Sequence, residues 1–336
     1  MEKNSQRLAI IASKRYGEIL SDGFRLFFES YKTLILPLAF FQILVIVLNV
    51  FLLTDLNWYY SSLGVSVLDL LQQVTLTESE LNLVVIYMFL TIAILLIQNM
   101  IGAIIITTAM CSVSTYIYNK YTWADTDLSD SFKSASNKKF LVVLLILGIC
   151  LPLSFLVIVP SIILFGFFIF SVFTYNMKGV EKPLREARRL SKGAFWKILG
   201  VFLINVVVIS IIRYIYTSIV GFFINFNSAW EDPNSRNYGM LILYNLIFNA
   251  VDIILAPLFI CLLTTLFASI KAKKDVLFQD RSSLLIERTQ PISQDMSFDI
   301  QTGSGFYCPY CGALIDSPKK FCPRCGEKFS FIKDQI

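Results

Sequence analysis

Hydrophobic positions fall into long runs, separated by short polar segments. Six runs are long enough for a helix that crosses a bilayer, which takes about 20 residues. They lie at Thr33–Leu53, Leu83–Thr107, Phe140–Val159, Ser161–Met177, Ile198–Gly221 and Met240–Ile270. This pattern predicts an all-α multi-pass membrane protein with six transmembrane helices.

The third and fourth runs meet at Val159-Pro160, which suits either a tight hairpin or one broken helix. Proline lacks an amide hydrogen and disfavours helix in the residue before it. A hairpin is favoured, because the charge pattern described below needs an even number of crossings here. The sixth run is too long for one upright span, so its cytoplasmic end is expected to continue beyond the bilayer.

Composition agrees with a membrane protein. The 336 residues are 56% hydrophobic and 16% charged, whereas a soluble domain is about a quarter charged. The first thirty residues are polar and lack the apolar core of a cleavable signal peptide, so the first span is expected to serve as the signal. The chain contains no histidine, which removes the commonest general base and zinc ligand.

The basic residues predict the orientation. Of the 29 Lys and Arg residues, 27 lie in residues 1–32, 108–139, 178–197 and 271–336. Residues 54–82 carry none, and the loop after Gly221 carries only Arg236. Because basic loops stay in the cytoplasm, we expect a cell-membrane protein with both termini cytoplasmic.

Three cytoplasmic segments resemble one another, beginning at Gly17, Asp125 and Val180. Each has a polar turn, a leucine, a lysine eleven to thirteen residues later, and then a span. Apolar residues recur at helical spacing in the first and third copies. This predicts three hairpins, each preceded by an amphipathic helix lying in the headgroup layer. Alternatively, the segments look alike only because all face the same interface.

Residues of about 10–275 resemble a known membrane family. The motifs are G-E-I-L-S-D-G-F-R-L-F from Gly17, P-L-R-E-A-R-R-L-S-K-G-A-F-W-K-I-L-G from Pro183, and A-P-L at Ala256–Leu258. They are similar to the glycerophosphoryl diester phosphodiesterase membrane-domain and YciC-like group of multi-pass proteins. Some members of that group are fused to a phosphodiesterase barrel that uses histidines. This chain has neither barrel nor histidine, so the resemblance implies a fold and no activity.

Two charged residues, Arg213 and Asp252, lie inside predicted spans. A charge near the bilayer centre costs at least about 2.5 kcal/mol, so each needs a partner or water. The fifth and sixth spans are joined by a short loop, and the two side chains are expected to be neighbours. One interpretation is a conduction or substrate site, shared with Gln98, Asn99, Asn205 and Asn249. The other is a structural pair that locks two helices together.

The most specific motif is C-P-Y-C, ten residues, then C-P-R-C, close to the end of the sequence. Its cysteines are Cys308, Cys311, Cys322 and Cys325. Each pair brings two thiolates to one ion, and four thiolates suit tetrahedral zinc with no position left for water. The segment resembles the short zinc-ribbon modules of many prokaryotic proteins. Two disulfides, a redox couple or a rubredoxin-like iron are the alternatives, and the predicted cytoplasmic location disfavours stable disulfides.

The predicted domain organisation has three parts. Residues 1–275 form the membrane domain, residues 276–305 a flexible cytoplasmic tether, and residues 306–332 the zinc ribbon with short β-hairpin knuckles and one structural zinc. The tether is inferred from its Ser, Thr, Gln and Asp content and from Gly303-Ser304-Gly305.

Three functions remain open from the sequence. The first is a non-enzymatic membrane protein whose ribbon recruits or senses a cytosolic protein. The second is a transporter or channel with Arg213 and Asp252 in its pathway and the ribbon as a regulatory domain. The third is a membrane-embedded enzyme acting on lipid. Since no catalytic constellation is visible, the first is favoured. Nucleic-acid binding by the ribbon is disfavoured, because acidic residues interrupt its small basic cluster.

Overall fold

The computed structural model describes residues 9–70, 77–124, 127–135, 137–154, 157–177, 179–289, 306–307 and 314–315. Its helices are α1 (residues 9–13), α2 (Tyr16–Leu70), α3 (Glu78–Thr122), α4 (Leu128–Ala135), α5 (Lys138–Val143), α6 (Leu151–Ser154), α7 (Ile158–Phe168), α8 (Ser171–Thr174), α9 (Pro183–Ser191), α10 (Phe195–Phe223), α11 (Tyr238–Phe248), α12 (Ala250–Ile254) and α13 (Ala256–Thr289). A π-helix, Leu144–Cys150, joins α5 to α6, and Ser228–Trp230 form a 3₁₀ turn. Strands β1 (Phe306–Tyr307) and β2 (Leu314–Ile315) pair antiparallel.

The chain divides into two compact units. One is Ser13–Ile270, and the other combines Met1–Ala12 with Lys271–Ile336. Among the described residues of the first unit, all regular structure is helical. The predicted all-α fold is therefore confirmed in outline. In the second unit, α13 continues to Thr289, well into the segment predicted as a tether; residues 290–305 lie outside the described residues.

Helix α2 corrects the prediction of a separate first interfacial helix. The amphipathic stretch from Tyr16 runs without a break into the first span, through Pro37. Its buried stripe, at Ile19, Leu26 and Leu34, faces protein. The spacing of apolar residues indicated the correct helix, but it could not distinguish a protein partner from the headgroup layer.

Helix α13 is the centre of the first unit. From Leu258 to Ala268 almost every side chain is buried, on every face of the helix. Phe267 shows the packing: its ring stacks on Phe173 at 4.5 Å and meets the edges of Phe170 and Tyr118 at 5.3 and 5.5 Å. A helix that is apolar all round is expected to be surrounded, and here the surrounding groups come from α3, α8 and the turn before α8.

Gly23 allows α2 to approach α13. A Cβ at this position would lie 2.7 Å from Leu262 Cδ2 and 3.0 Å from Leu262 Cα. We therefore expect Gly23→Ala to destabilise the protein by about 1–3 kcal/mol, because the backbone of α13 must move. Gly17→Ala is the control: it lies on the same helix with nothing within 4 Å, and should be neutral or stabilising by up to ~1 kcal/mol. Thermal unfolding in detergent compares the two, and equal midpoints would contradict the close approach.

The break between the third and fourth runs lies a little earlier than predicted. Residues 155–156 fall outside the described residues, and α7 begins at Ile158, so that Pro160 lies in its first turn. A proline there is tolerated because the first-turn amides lack helical partners. Just upstream, the π-helix ends at Cys150, before Pro152. Proline removes a backbone donor and crowds the preceding turn, which accounts for the irregular turns here.

The sixth run is three helices rather than one. It is interrupted at Asn249 (φ −101°, ψ 13°) and Leu255 (φ −92°, ψ 3°). Pro257 explains the second interruption, since its ring clashes with the carbonyl four residues earlier. At the first, the Asn249 side chain donates to the Asn245 carbonyl at 2.7 Å. Such side-chain bonds to the backbone compete with regular helix.

The third predicted interfacial helix, α9, is a separate element, as expected. Its apolar side packs on protein: Ala187 and Leu190 are buried, and Ser191 donates to the Phe167 carbonyl. Arg185 and Arg188 are exposed on the opposite side. As in the first copy, the apolar face is in contact with the helical core, while basic side chains remain at the surface.

Within the described residues, four helices are long and apolar enough to cross a membrane. They are Tyr16–Gly64, Glu78–Thr122, Phe195–Phe223 and Ala256–Val276. Two shorter apolar helices, Val159–Thr174 and Tyr238–Phe248, fall within the fourth and sixth predicted runs. The structure thus has the character of a membrane protein.

Candidate metal centre and intramembrane polar site

The predicted zinc ligands lie outside the described residues. The described residues of this segment form two short antiparallel strands, one before and one after the first cysteine pair in the sequence. Phe306 pairs with Ile315 and Tyr307 with Leu314, and the connecting residues 308–313 include Cys308 and Cys311. A short hairpin with a C-x-x-C connection is what a zinc knuckle requires. The donor set fits the metal, because four thiolates satisfy zinc's preference for tetrahedral sulfur ligation.

A bound zinc would fold the ribbon. Cys308, Cys311, Cys322 and Cys325 would hold it, and a closed set of four thiolates leaves no position for substrate. Across the part of the chain that the structure describes, no three Cys, Asp or Glu side chains come together as an alternative metal site. The remaining cysteines are Cys111 and Cys261, which are buried, and Cys150, which is half-buried.

The structure brings Arg213 and Asp252 together. Arg213 Nη1 lies 3.4 Å from Asp252 Oδ2, and Nη2 donates to Asn249 Oδ1 at 2.9 Å. Tyr216 adds a third link between the same helices by donating to the Ile247 carbonyl at 2.9 Å. The guanidinium of Arg213 therefore joins α10 to the interruption at Asn249 and to α12, while Tyr216 joins α10 to α11.

Of the other polar residues predicted to share this site, two belong to it and two do not. Asn249 binds Arg213, as above, and Asn205 lies nearby on α10. Gln98 and Asn99 are exposed on α3, and Asn99 donates to the Leu95 carbonyl of its own helix. A position within a span does not reveal which face of the helix points inwards, so the sequence could not separate these pairs.

A cavity of about 190 Å³ lies beside the pair. Its lining is mainly apolar, with polar groups from Gln42, Asn205 and Asp252; Arg213 lies outside it. Asn205 is 8% exposed, and its Oδ1 has no hydrogen-bond partner among the described residues. Gln42 was not predicted as a site residue. A lone glutamine in the first apolar run was the available signal.

The basic segments meet at one end of the helices, and the segments poor in basic residues meet at the other end. At one end, Tyr121 of α3 donates to Asp22 of α2 at 2.8 Å, and Tyr16 donates to the Lys197 carbonyl at 3.2 Å. Lys14 pairs with Asp22 at this end. Residues from basic segments 1–32, 108–139 and 178–197 thus meet.

At the other end, Arg236 of the last loop pairs with Asp55 of α2. In the same loop, partial burial raises the pKa of the Glu231 carboxyl, and Arg236 opposes that shift. The two segments that are poor in basic residues therefore lie together.

Comparison with known proteins identifies the tail. A family model described as a zinc-ribbon domain matches residues 304–329. No curated protein and no solved structure matches the chain. The resemblance of residues 10–275 to the phosphodiesterase membrane-domain and YciC-like group therefore stays a prediction, whereas the match at residues 304–329 supports the predicted zinc ribbon.

Proposed function

We propose that this is a non-enzymatic protein of the cell membrane whose zinc ribbon recruits a cytosolic partner protein. The observation that carries the proposal is the zinc-ribbon match on a chain whose other described residues form apolar helices long enough to cross a bilayer. A closed four-thiolate site builds a small folded surface without supplying chemistry. Recognition is the role left to such a module, and the membrane helices hold it at the bilayer.

Six crossings complete this proposal. The long apolar helices lie in the first, second, fifth and sixth predicted runs, and the third and fourth runs, Phe140–Val159 and Ser161–Met177, supply the other two crossings as a hairpin. Contacts that join the basic segments at one end, and Asp55 to Arg236 at the other, support an orientation with both termini in the cytoplasm. The domain boundaries follow: a membrane domain to about residue 275, a connecting segment, and a ribbon with one zinc on its four cysteines.

Tyrosines on α2 and α3 suit the thickness of a bilayer. Tyr60 stacks on Tyr87 at 4.6 Å and accepts a 2.6 Å hydrogen bond from its hydroxyl. On α2, Tyr31 lies 29 residues before Tyr60, and on α3, Tyr116 lies 29 residues after Tyr87. At 1.5 Å per residue this is about 43 Å, which matches the 40–45 Å between the two headgroup regions. Tyrosine is enriched at both interfaces, so these four residues would mark the membrane boundaries.

Reporter fusions test the topology. Fusions after Asp69 and Asn234 are expected to read as external, and fusions after Asp125, Lys182 and Gln335 as cytoplasmic. The reason is the retention of basic loops on the cytoplasmic side. A cytoplasmic signal at Asp69 would exclude the six-span arrangement.

Site-specific cross-linking tests recruitment. A photo-reactive residue at Lys328, in the ribbon, should form a defined adduct with a cytosolic protein in intact cells. The adduct should disappear when Cys322 and Cys325 are both replaced by serine, because the ribbon surface depends on zinc. The same photo-reactive residue at Asn234, in the opposite loop, is the control and should give no cytosolic adduct. Adducts that are unchanged without the zinc ligands would reject the recruitment role.

A transporter or channel is the second candidate, and one observation favours it. The helix interruptions at Asn249 and Leu255 flank Asp252, and Asp252 and Leu255 line the cavity. Irregular backbone at membrane depth is tolerated where it is buried in protein or lines a cavity, and discontinuous helices mark the binding sites of many transporters. Flux of Na⁺, K⁺ and protons in reconstituted vesicles separates the two roles. If the membrane domain is only an anchor, the ion flux should equal the leak of protein-free vesicles. A saturable flux that is lost in Asp252→Asn would establish transport.

A further inference from the structure

We propose that the exposed side of helix α9, together with the start of α10, binds the headgroup of an anionic phospholipid in the cytoplasmic leaflet. The basic row of this site is Arg185, Arg188 and Lys192, and its apolar member is Trp196; all four side chains are exposed. The inference rests on the membrane placement proposed above and is independent of the partner that the zinc ribbon recruits.

The charge of the basic row is not neutralised within the described part of the chain. Arg188 and Lys192 form no ion pair with another described residue. The one acidic residue of α9, Glu186, is bound to Arg189, with Arg189 Nη2 2.6 Å from Glu186 Oε1. Two cations therefore remain available to an external anion.

Helix α9 is held with its basic side outwards. At its start, Thr174 donates to the Pro183 carbonyl at 2.8 Å, and at its end Ser191 donates to the Phe167 carbonyl at 3.2 Å. Between these two bonds, Ala187 is completely buried against the protein. A free amphipathic helix inserts its apolar side among the acyl chains, but in α9 that side is already covered. Its contact with the bilayer is therefore electrostatic and made by the basic row.

Trp196 places the basic row at the depth of the lipid headgroups. Its side chain is 78% exposed and lies in the first turn of α10, which is long and apolar enough to cross a membrane. Tryptophan is enriched at membrane interfaces, where its ring sits at the headgroup level. Lys192 precedes Trp196 by four residues, so their Cα atoms are at most about 15 Å apart. The long side chains of the row can therefore reach lipid phosphates.

The chemistry of the row selects a phosphate that carries net negative charge. A guanidinium binds phosphate oxygens through two parallel N–H donors, and an ammonium adds a point charge with three donors. Arg185 and Arg188 are three positions apart on a helix, so their Cβ atoms are about 5–6 Å apart, close enough to share one headgroup. Phosphatidylcholine carries a cation beside its phosphate, which the row repels. Basic clusters next to the cytoplasmic end of a span attract anionic lipids for the same reason.

The test uses the full-length, zinc-loaded protein in vesicles, with Trp196 as the only tryptophan after replacement of Trp58, Trp123 and Trp230 by phenylalanine. Brominated phosphatidylglycerol and brominated phosphatidylcholine quench its fluorescence when they lie beside it, which gives the ratio of their association constants. We expect a ratio of about tenfold or more in favour of phosphatidylglycerol, because each basic residue near an anionic surface contributes about fivefold. In 1 M NaCl, where the Debye length is about 3 Å, the ratio should approach one.

Arg188→Gln is the decisive variant, and its exposed position means that it is expected to fold. The ratio should fall by about fivefold, and adding Lys192→Gln should bring it close to one. Arg25→Gln is the matched control. It removes a cation that is 65% exposed but already paired, at 3.4 Å from Glu29 and 3.8 Å from Asp22, so the parental ratio should remain. Equal ratios in Arg188→Gln and Arg25→Gln would overturn the proposal.

A second reporter distinguishes a local site from the overall charge of the surface. Trp123, at the end of α3, is 70% exposed. In a protein that retains only this tryptophan, Arg188→Gln should leave the lipid ratio unchanged. An equal fall at Trp123 and Trp196 would assign the effect to general surface charge and overturn the site at α9.

The remaining outcomes separate this inference from the membrane placement. No quenching of Trp196 by either lipid would contradict the placement of α10 in the bilayer. Equal quenching by the two lipids would leave that placement intact and overturn the lipid site, making an acidic cytosolic protein the better candidate for the row. Inorganic phosphate, added at constant ionic strength, should not change the ratio. Loss of the preference in its presence would make soluble phosphate the ligand and overturn the assignment to lipid.

Discussion

Replacing Cys322 and Cys325 by serine is expected to abolish stoichiometric zinc binding and to leave the ribbon open to proteases. A module of about 25 residues cannot build a sufficient core, and zinc supplies about 10 kcal/mol or more of its folding free energy. The membrane domain draws its stability from helix packing in lipid, as around Phe267. It should therefore insert with the same topology and unfold at the same temperature. Metal analysis, limited proteolysis and thermal unfolding measure these outcomes.

Cys150→Ser is the matched control, because Cys150 is half-buried in the π-helix and lies outside the ribbon match. It should retain zinc at the parental level. Zinc loss in this variant would argue against the four predicted ligands. If the ribbon variant instead lowered the unfolding temperature of the membrane domain, the two parts would not fold independently, and the ribbon would have a structural role in the membrane domain.

Arg213→Met or Asp252→Asn alone is expected to lower the free energy of unfolding by roughly 2–5 kcal/mol, and the double change to recover part of the loss. Each single change leaves one charge without its partner in a poorly hydrated environment. The double change removes both charges, so the remaining loss reflects packing and the bond to Asn249. Unfolding of all three variants in one detergent gives the coupling free energy, and strictly additive losses would mean that the two side chains do not interact energetically.

Asp55→Asn provides the contrasting case. Its pair with Arg236 lies in the predicted external segments, and Asp55 is 75% exposed. Exposed ion pairs contribute about 0–1 kcal/mol, so this variant should be close to neutral. A loss as large as that of Asp252→Asn would indicate that the two pairs share one environment, which is incompatible with placing Asp252 at membrane depth and Asp55 in the external headgroup region.

Local signals predicted the individual helices better than their contacts. The spacing of Ile19, Phe24 and Phe27 indicated an amphipathic helix, and α2 covers this segment with Ile19 and Phe27 buried; its placement in the headgroup layer stays a prediction. An apolar stripe specifies which face avoids water. It does not specify whether lipid or protein covers that face, because both are apolar.

The polar site shows the same limit. Arg213 and Asp252 were expected to be neighbours because a short loop joins their helices, and they are in contact. Gln98 and Asn99 were expected beside them and lie on an exposed face instead, while Gln42, from the opposite end of the chain, lines the cavity. Depth along a span follows from residue number, but rotation of the helix about its axis depends on packing partners far away in sequence.

By itself, the sequence determined the helical class, the apolar runs, the basic and acidic ends and the zinc-ribbon chemistry. Each depends on residues close together in the chain: the length of a run, the charge of a loop, the spacing of two cysteine pairs. Only the tertiary structure decided that α13 is the central helix, that α2 approaches it closely at Gly23, and that Asn205, Gln42 and Asp252 line one cavity. Apolar side chains pack with one another almost interchangeably, so the choice of neighbours is made by the complementary shapes of whole helices.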